Sequence, residues 1–162
     1  VDDLVVAGDY LVRRKQPLAT LEQLLEAATM ATGRGIRALR DAVGQVRAGT
    51  DSPMETRLRL ALVAGGLPEP VIGYAVTDEA GFVATPDLSS VEERIAIEYE
   101  GEKHWTDRRV FSEDIARRER LEDAGWQVIR VIAEHLGPST PLLLRRVRRA
   151  LDHRAAGNIA GP

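Results

Sequence analysis

Apolar residues recur at helical spacing in the first third of the chain. Leu21, Leu24, Leu25 and Ala28 follow Thr20, which makes a capping box with Gln23, and a second helix is predicted from about Ile36 to Val46. Residues 1–50 therefore read as a helical segment ending in the connector Arg47 to Asp51, with too few apolar positions to hold a core alone. A third helix opens at Ser52-Pro53-Met54-Glu55, buries Met54, Leu58, Leu60, Ala61 and Leu62, and stops at Gly65-Gly66. The period then shortens to that of strands. Val71 to Thr77 is predicted as a first strand, Asp78 to Gly81 as a turn, and Phe82 to Thr85 as the next extended run, with Pro86 marking a bend or an edge. Residues 86–101 read as strand, tight turn at Glu92-Glu93, and strand. Asp107 to Ala124 is predicted as a helix with Phe111, Ile115 and Leu121 inward and Gly125 as its stop. An apolar strand, Trp126 to Ile132, follows with Trp126 in the core, and an amphipathic helix from Pro141 to about His153 closes the chain. Helix, three strands, helix, strand, helix predicts a mixed α/β fold in which helices cover a mixed sheet.

The hairpin carries the candidate chemistry. Counting outward from Glu92-Glu93 sets Val91 across from Arg94, Ser89 across from Ala96 and Asp87 across from Glu98, where opposed Cβ atoms lie about 4.5 to 5.5 Å apart. Alternation puts Ala96, Glu98 and Glu100 on one face and Ile95, Ile97 and Tyr99 on the other. Opposed carboxylates repel, so a partner is required, and hard oxygen ligands with no His or Cys in the ladder suit Mg²⁺ or a similar ion. The spacing equally allows a solvated acidic face with arginine neighbours.

Composition narrows the setting. A 162-residue chain with 44% hydrophobic and 29% charged residues has room for one ordinary globular domain and an accessory segment. No apolar run approaches the ~20 residues of a membrane span, no secretory signal opens the chain, and cysteine is absent, which excludes disulfides and thiolate zinc sites. A cytoplasmic location with no membrane partner is expected. The first residue, Val1, suggests a piece of a longer polypeptide. Net charge is −3, but residues 105–162 carry 11 arginines against 8 acids, and the guanidinium fork suits phosphate. Ordinary helix-surface pairs, Glu113 with Arg117 and Asp114 with Arg118, would account for part of that arginine content.

The element order, with a helix Glu, an Asp on one strand and Glu-x-Glu on the next, resembles the restriction-endonuclease-like PD-(D/E)XK superfamily. More narrowly, Asp-Ser-Pro-Met-Glu-Thr-Arg (51–57), Ile-Glu-Tyr-Glu-Gly-Glu-Lys-His (97–104) and Leu-Glu-Asp-Ala-Gly-Trp-Gln-Val-Ile-Arg-Val (121–131) resemble bacterial proteins whose C-terminal domain is akin to very-short-patch-repair endonucleases. The resemblance spans roughly residues 51–151 and implies an αβββαβα core; the domain is expected to cover 51–155, after the helical segment 1–50 and before a disordered or extended tail at 156–162. It implies a metal-dependent endonuclease using Mg²⁺ or Mn²⁺ on nucleic acid, DNA before RNA. Asp87 and Glu98 match the metal-binding acids, and Glu55 matches the helix glutamate that in many members joins the site. Glu100 stands where most members have a catalytic lysine, so it is a candidate metal ligand and a departure from the pattern. Lys103 and His104 are the residues placed to compensate, with His104 moving protons and Lys103 meeting nucleic acid. Arg117, Arg120, Arg145 and Arg149 are the expected phosphate contacts, and Arg118 is a weaker one. The alternative is a non-catalytic, antitoxin-like DNA-binding or regulatory module that retains the nuclease fold. A homodimer is compatible with either reading, and proteins of this look often carry an upstream winged-helix region that this chain lacks.

Overall fold

The structure, a computed structural model, describes residues 1–101 and 108–159, the side chains of 108–112 and 158–159 excepted. The chain forms two compact units, Val1–Leu60 and Ala61–Pro162.

The first unit contains α1 (Asp2–Leu11), α2 (Leu21–Met30), α3 (Ile36–Val43) and the opening turns of α4 (Pro53–Ala64). The predicted capping box is present at α2: Thr20 Oγ1 accepts the Gln23 N–H at 3.2 Å, and Gln23 Oε1 accepts the Thr20 N–H at 2.8 Å. Helix α3 stops before Gly44, three residues short of the predicted Val46. The apolar cluster of this segment takes in a residue of α4 as well. Val5, Val12, Ala42 and Val46 are buried together, with Leu21, Leu24 and Leu60 against them. Helix α1 supplies Val5, with Val12 capping its end, and Gly8 lets it approach, since a Cβ there would lie 2.3 Å from Val46 Cγ2.

The second unit holds β1 (Val71–Ile72), β2 (Val76–Asp78), β3 (Gly81–Ala84), β4 (Leu88–Ser90), β5 (Ile95–Tyr99), α5 (Arg108–Asp123), β6 (Gln127–Val131) and α6 (Thr140–Ile159). Strands in the main sheet run β1-β4-β5-β6; β2 and β3 form a separate hairpin. Strand β4 is antiparallel to β1 and β5, and β6 lies parallel to β5, so the fold is mixed α/β with a mixed sheet, as expected. The single strand predicted at Val71 to Thr77 is broken at Gly73, whose φ of +62° suits glycine, and the second half turns away to pair with β3. Three strands in a simple meander are therefore replaced by a sheet into which a hairpin is inserted.

Helix α5 ends as predicted. Gly125 has φ +81°, and the Trp126 N–H reaches the Leu121 carbonyl at 2.9 Å, the bond that closes a Schellman motif. Leu121 and Trp126 are buried with Val76, Val83, Ala84 and Ala96, and the Trp126 ring lies 5.7 Å from that of Tyr74. Ile115 differs from its predicted inward position and is exposed. Helix α6 buries Leu143, Val147 and Ala150 and runs to Ile159, so residues 156–159 are helical rather than tail. Ala155-Ala156, strong helix formers, carry it past His153. Among the described residues no helix is long and apolar enough to cross a membrane.

Candidate functional site

The β4–β5 hairpin places the acids. Leu88 pairs with Ile97, Ser89 with Ala96 and Ser90 with Ile95, the predicted register, and Asp87 lies one residue before the first of these pairs. The loop is Val91 to Arg94, closed by the Arg94 N–H on the Val91 carbonyl at 3.2 Å, with Arg94 at φ +51°. A four-residue loop centred on Glu92-Glu93 keeps the register that a two-residue turn would give.

Neither face of β5 is solvated. Ile95, Ala96, Ile97 and Glu98 are all buried, consistent with a strand covered on both sides. The face bearing Ala96 and Glu98 belongs to the apolar cluster of Leu121 and Trp126, so Glu98, only 7% exposed, is a carboxylate set at the margin of a core.

Charge on that face is balanced from within the protein. Arg117, on α5, straddles the Glu98 carboxylate: Nη1 lies 2.8 Å from Oε1, and Nη2 donates to Oε2 at 3.1 Å. Nη2 also donates to Asp114 at 3.2 Å, an i,i+3 contact. The Nη1 to Oε1 contact is electrostatic and lacks hydrogen-bond alignment, so among the described residues Glu98 Oε1 is buried without a hydrogen bond. Ser89 Oγ, paired with Ala96 two residues along β5 from Glu98, is buried in the same condition. Glu100 pairs with Arg130, which sits opposite Glu98 in the parallel β5–β6 ladder and reaches two residues along it. Asp87 Oδ2 accepts the Tyr99 N–H at 2.8 Å. Of the two settings that the spacing allows, arginine neighbours are present: two guanidinium groups and a backbone amide meet these acids.

The ionisation equilibria follow from burial. Loss of water pushes the Glu98 carboxyl above its ordinary value of 4.5; Arg117 opposes the rise and Asp114 adds to it. Burial also works against the charge of Arg117, but Glu98, Asp114 and Asp87 together outweigh it and hold the guanidinium protonated. Of the pair, Glu98 is the member that resists charging.

Whether this donor set fits a divalent ion differs by residue. Asp87 and Glu98 come nearer to fitting: Asp87 Oδ2 meets the N–H of Tyr99, the residue after Glu98, and Glu98 keeps a buried oxygen without a hydrogen bond among the described residues, although Arg117 already stands against it as a competing cation. Glu100 does not fit, since its carboxylate is drawn off to Arg130. Among the described residues no three His, Asp or Glu side chains converge as a metal-binding group, so Asp87, Glu98 and Glu100 do not form the predicted triad.

The other predicted site residues separate. Glu55 lies in the first unit as a capping residue, its N–H on Ser52 Oγ at 3.2 Å and its Oε2 accepting the Asp51 N–H at 2.8 Å. Lys103 and His104 lie outside the described residues. Arg118 is exposed and bonds Glu122 at 2.8 Å rather than the predicted Asp114; Glu113 likewise gives way to Asp114 and Glu98 as the partner of Arg117. Arg120 is exposed on α5. Arg145 and Arg149 are exposed on α6, four residues apart and away from buried Leu143 and Val147. Sequence reasoning missed Arg130 as a site residue. Its signal was an arginine inside the apolar strand Gln127 to Val131, where a charge needs a partner on the neighbouring strand.

No family model matches the chain, and no solved structure matches it. It is similar to two curated relatives from Mycobacterium tuberculosis, uncharacterized protein MT2308 of strain CDC 1551 / Oshkosh and uncharacterized protein Rv2248 of strain ATCC 25618 / H37Rv. Each is 27% identical over 159 residues, covering 90% of this chain and 59% of the relative. The chain thus spans about three-fifths of the length of the curated relatives it matches.

Proposed function

We propose that the second unit is a metal-dependent endonuclease domain that hydrolyses phosphodiester bonds in nucleic acid, DNA rather than RNA. The observation that carries this reading is the buried Glu98 carboxylate, one oxygen of which has no hydrogen bond among the described residues, next to the Tyr99 N–H that meets the Asp87 carboxylate. Support comes also from the element order α4, β1, β4, β5, α5, β6, α6 in that part of the chain, which is the order the PD-(D/E)XK resemblance implies once the β2–β3 hairpin is set aside.

In this reading Asp87 and Glu98 hold a divalent ion, Mg²⁺ or Mn²⁺, which when bound polarises the phosphate and acidifies a water molecule. The chain's own residues do the rest. Glu98 lies at the edge of an apolar cluster, where low dielectric strengthens its attraction for a cation. His104 moves the proton, as the resemblance implies. Arg145, Arg149 and Arg120 meet backbone phosphates and fix the position of the duplex without reading its bases. A second reading, a non-catalytic DNA-binding module, is favoured by the ion pairs Glu98–Arg117 and Glu100–Arg130, which leave the acids neutralised.

Incubation of the protein with plasmid and short duplexes in Mg²⁺ or Mn²⁺ tests both. Cleavage by the wild type that is lost in Asp87→Ala and Glu98→Ala is the expected result. Cleavage that persists in both variants would point to contamination, and salt-sensitive binding without cleavage would sink the nuclease reading in favour of the module.

A further inference from the structure

We infer that Arg117 is the resident cation of the Asp87–Glu98 pair, so that a divalent ion reaches these acids only by displacing its guanidinium. The inference rests on the endonuclease reading for its place in the reaction, while its geometry stands on the structure alone.

Position comes first. Arg117 reaches from α5 to Glu98 on β5, and both its terminal nitrogens lie within 3.1 Å of the Glu98 carboxylate. Asp87 also acts on its charge, so the guanidinium feels both acids of the pair. A second observation points to a ligand other than arginine. Glu98, more than nine-tenths buried, keeps one oxygen with no hydrogen bond among the described residues, although a guanidinium nitrogen sits 2.8 Å away. A planar fork has fixed donor directions, and at this carboxylate only one of them is used well; a metal ion has no such directional demand on that oxygen. Burying an acceptor without a hydrogen bond is costly, and a structure that tolerates it at a candidate site is poised for another occupant. Third, Arg117 has somewhere else to go. Asp114 lies one turn back on the same helix and already accepts from Nη2, so release from Glu98 does not strand the charge. Once released, the same fork matches a phosphate oxygen pair as well as it matched a carboxylate. Arg117 is therefore a positioning residue: it keeps the acids compatible in the ion-free protein, and it sets how tightly they take an ion.

Mn²⁺ binding, followed by calorimetry and by the paramagnetic resonance of the free ion without any nucleic acid, tests this. The variants are Arg117→Gln, Arg117→Lys and the double variant Arg117→Gln with Glu98→Gln, each checked by circular dichroism. Arg117→Gln is expected to bind Mn²⁺ about tenfold or more tightly than the wild type, the effect of removing a competing contact worth about 1.4 kcal/mol. Arg117→Lys, which keeps charge but loses the two-pronged contact, should fall between them, and the double variant should lose the gain. Mn²⁺ should also raise the melting temperature of Arg117→Gln more than that of the wild type, because a ligand stabilises the state it binds. Equal Mn²⁺ affinity in wild type and a folded Arg117→Gln would overturn the inference. Should Arg117→Gln not fold, Arg117→Lys decides, and affinity no higher than wild type overturns it again. The two proposals fail separately. Tighter Mn²⁺ binding with no DNA cleavage in any variant removes the nuclease reading and supports the role of Arg117; cleavage by the wild type with Mn²⁺ affinity unmoved by Arg117 does the reverse.

Discussion

Asp9 and Arg59 form an ion pair sealed inside the first unit: Arg59 Nη2 lies 3.0 Å from Asp9 Oδ2, with the side chains 2% and 0% exposed. Asp9 is fully engaged, accepting also from the Thr56 hydroxyl at 2.9 Å and the Arg47 N–H at 2.8 Å, while Arg59 donates to the Gln45 carbonyl at 2.9 Å. The pair ties α1 to α4 and to the segment after α3, which is how 60 residues with a small apolar cluster stay ordered.

Asp9→Ala should therefore be severe. Removing one member of a buried pair leaves the other charge uncompensated, at about 3 to 5 kcal/mol. Urea unfolding followed by far-UV circular dichroism is the measurement, and a loss under about 1 kcal/mol would mean that the pair is solvated in solution.

Glu98 gives a pH dependence of defined sign. Burial raises its pKa in the folded protein above 4.5, so between that value and the raised one the native state holds a proton that the unfolded chain has released. Its contribution to stability is complete below the unfolded value and is lost as pH rises through the folded one. Subtracting the unfolding free energy of Glu98→Gln from that of wild type across this range should give a difference that declines with rising pH. A flat or rising difference would show that Arg117 outweighs burial.

Gly125→Ala should destabilise the junction of α5 and β6. The glycine has φ +81°, and an added Cβ would lie 3.3 Å from Arg94 Nη1. A left-handed conformation costs an L-residue about 1 to 2 kcal/mol, which thermal denaturation would register as a drop of several degrees.

Arg145→Gln and Arg149→Gln should leave folding unchanged, since both side chains point away from the buried stripe of α6. If they meet phosphates, each should weaken duplex binding for all sequences alike and reduce the slope of log affinity against log salt by about 0.9. Fluorescence anisotropy at several salt concentrations reads this directly, and an unaltered slope removes α6 from the interface.

Much of the secondary structure was legible in local chemistry. The Thr20–Gln23 box, Gly125 as a helix stop, Trp126 as core and the Ser89–Ala96 register all depend on residues within a few positions of one another, or on the two-residue period of one hairpin. Where a strand is interrupted was less legible: Val71 to Thr77 has a uniform β composition, and only the pairing of its halves with different partners reveals the break at Gly73. The charged site lay beyond reach for a stronger reason. Which arginine neutralises Glu98 depends on how α5 crosses the sheet, and which meets Glu100 depends on the parallel register of β5 and β6, contacts spanning 19 and 30 residues. Local patterning places the carboxylates, because register is a property of neighbours. Their counter-charges are decided by packing, because a long side chain finds its partner only after distant elements have met.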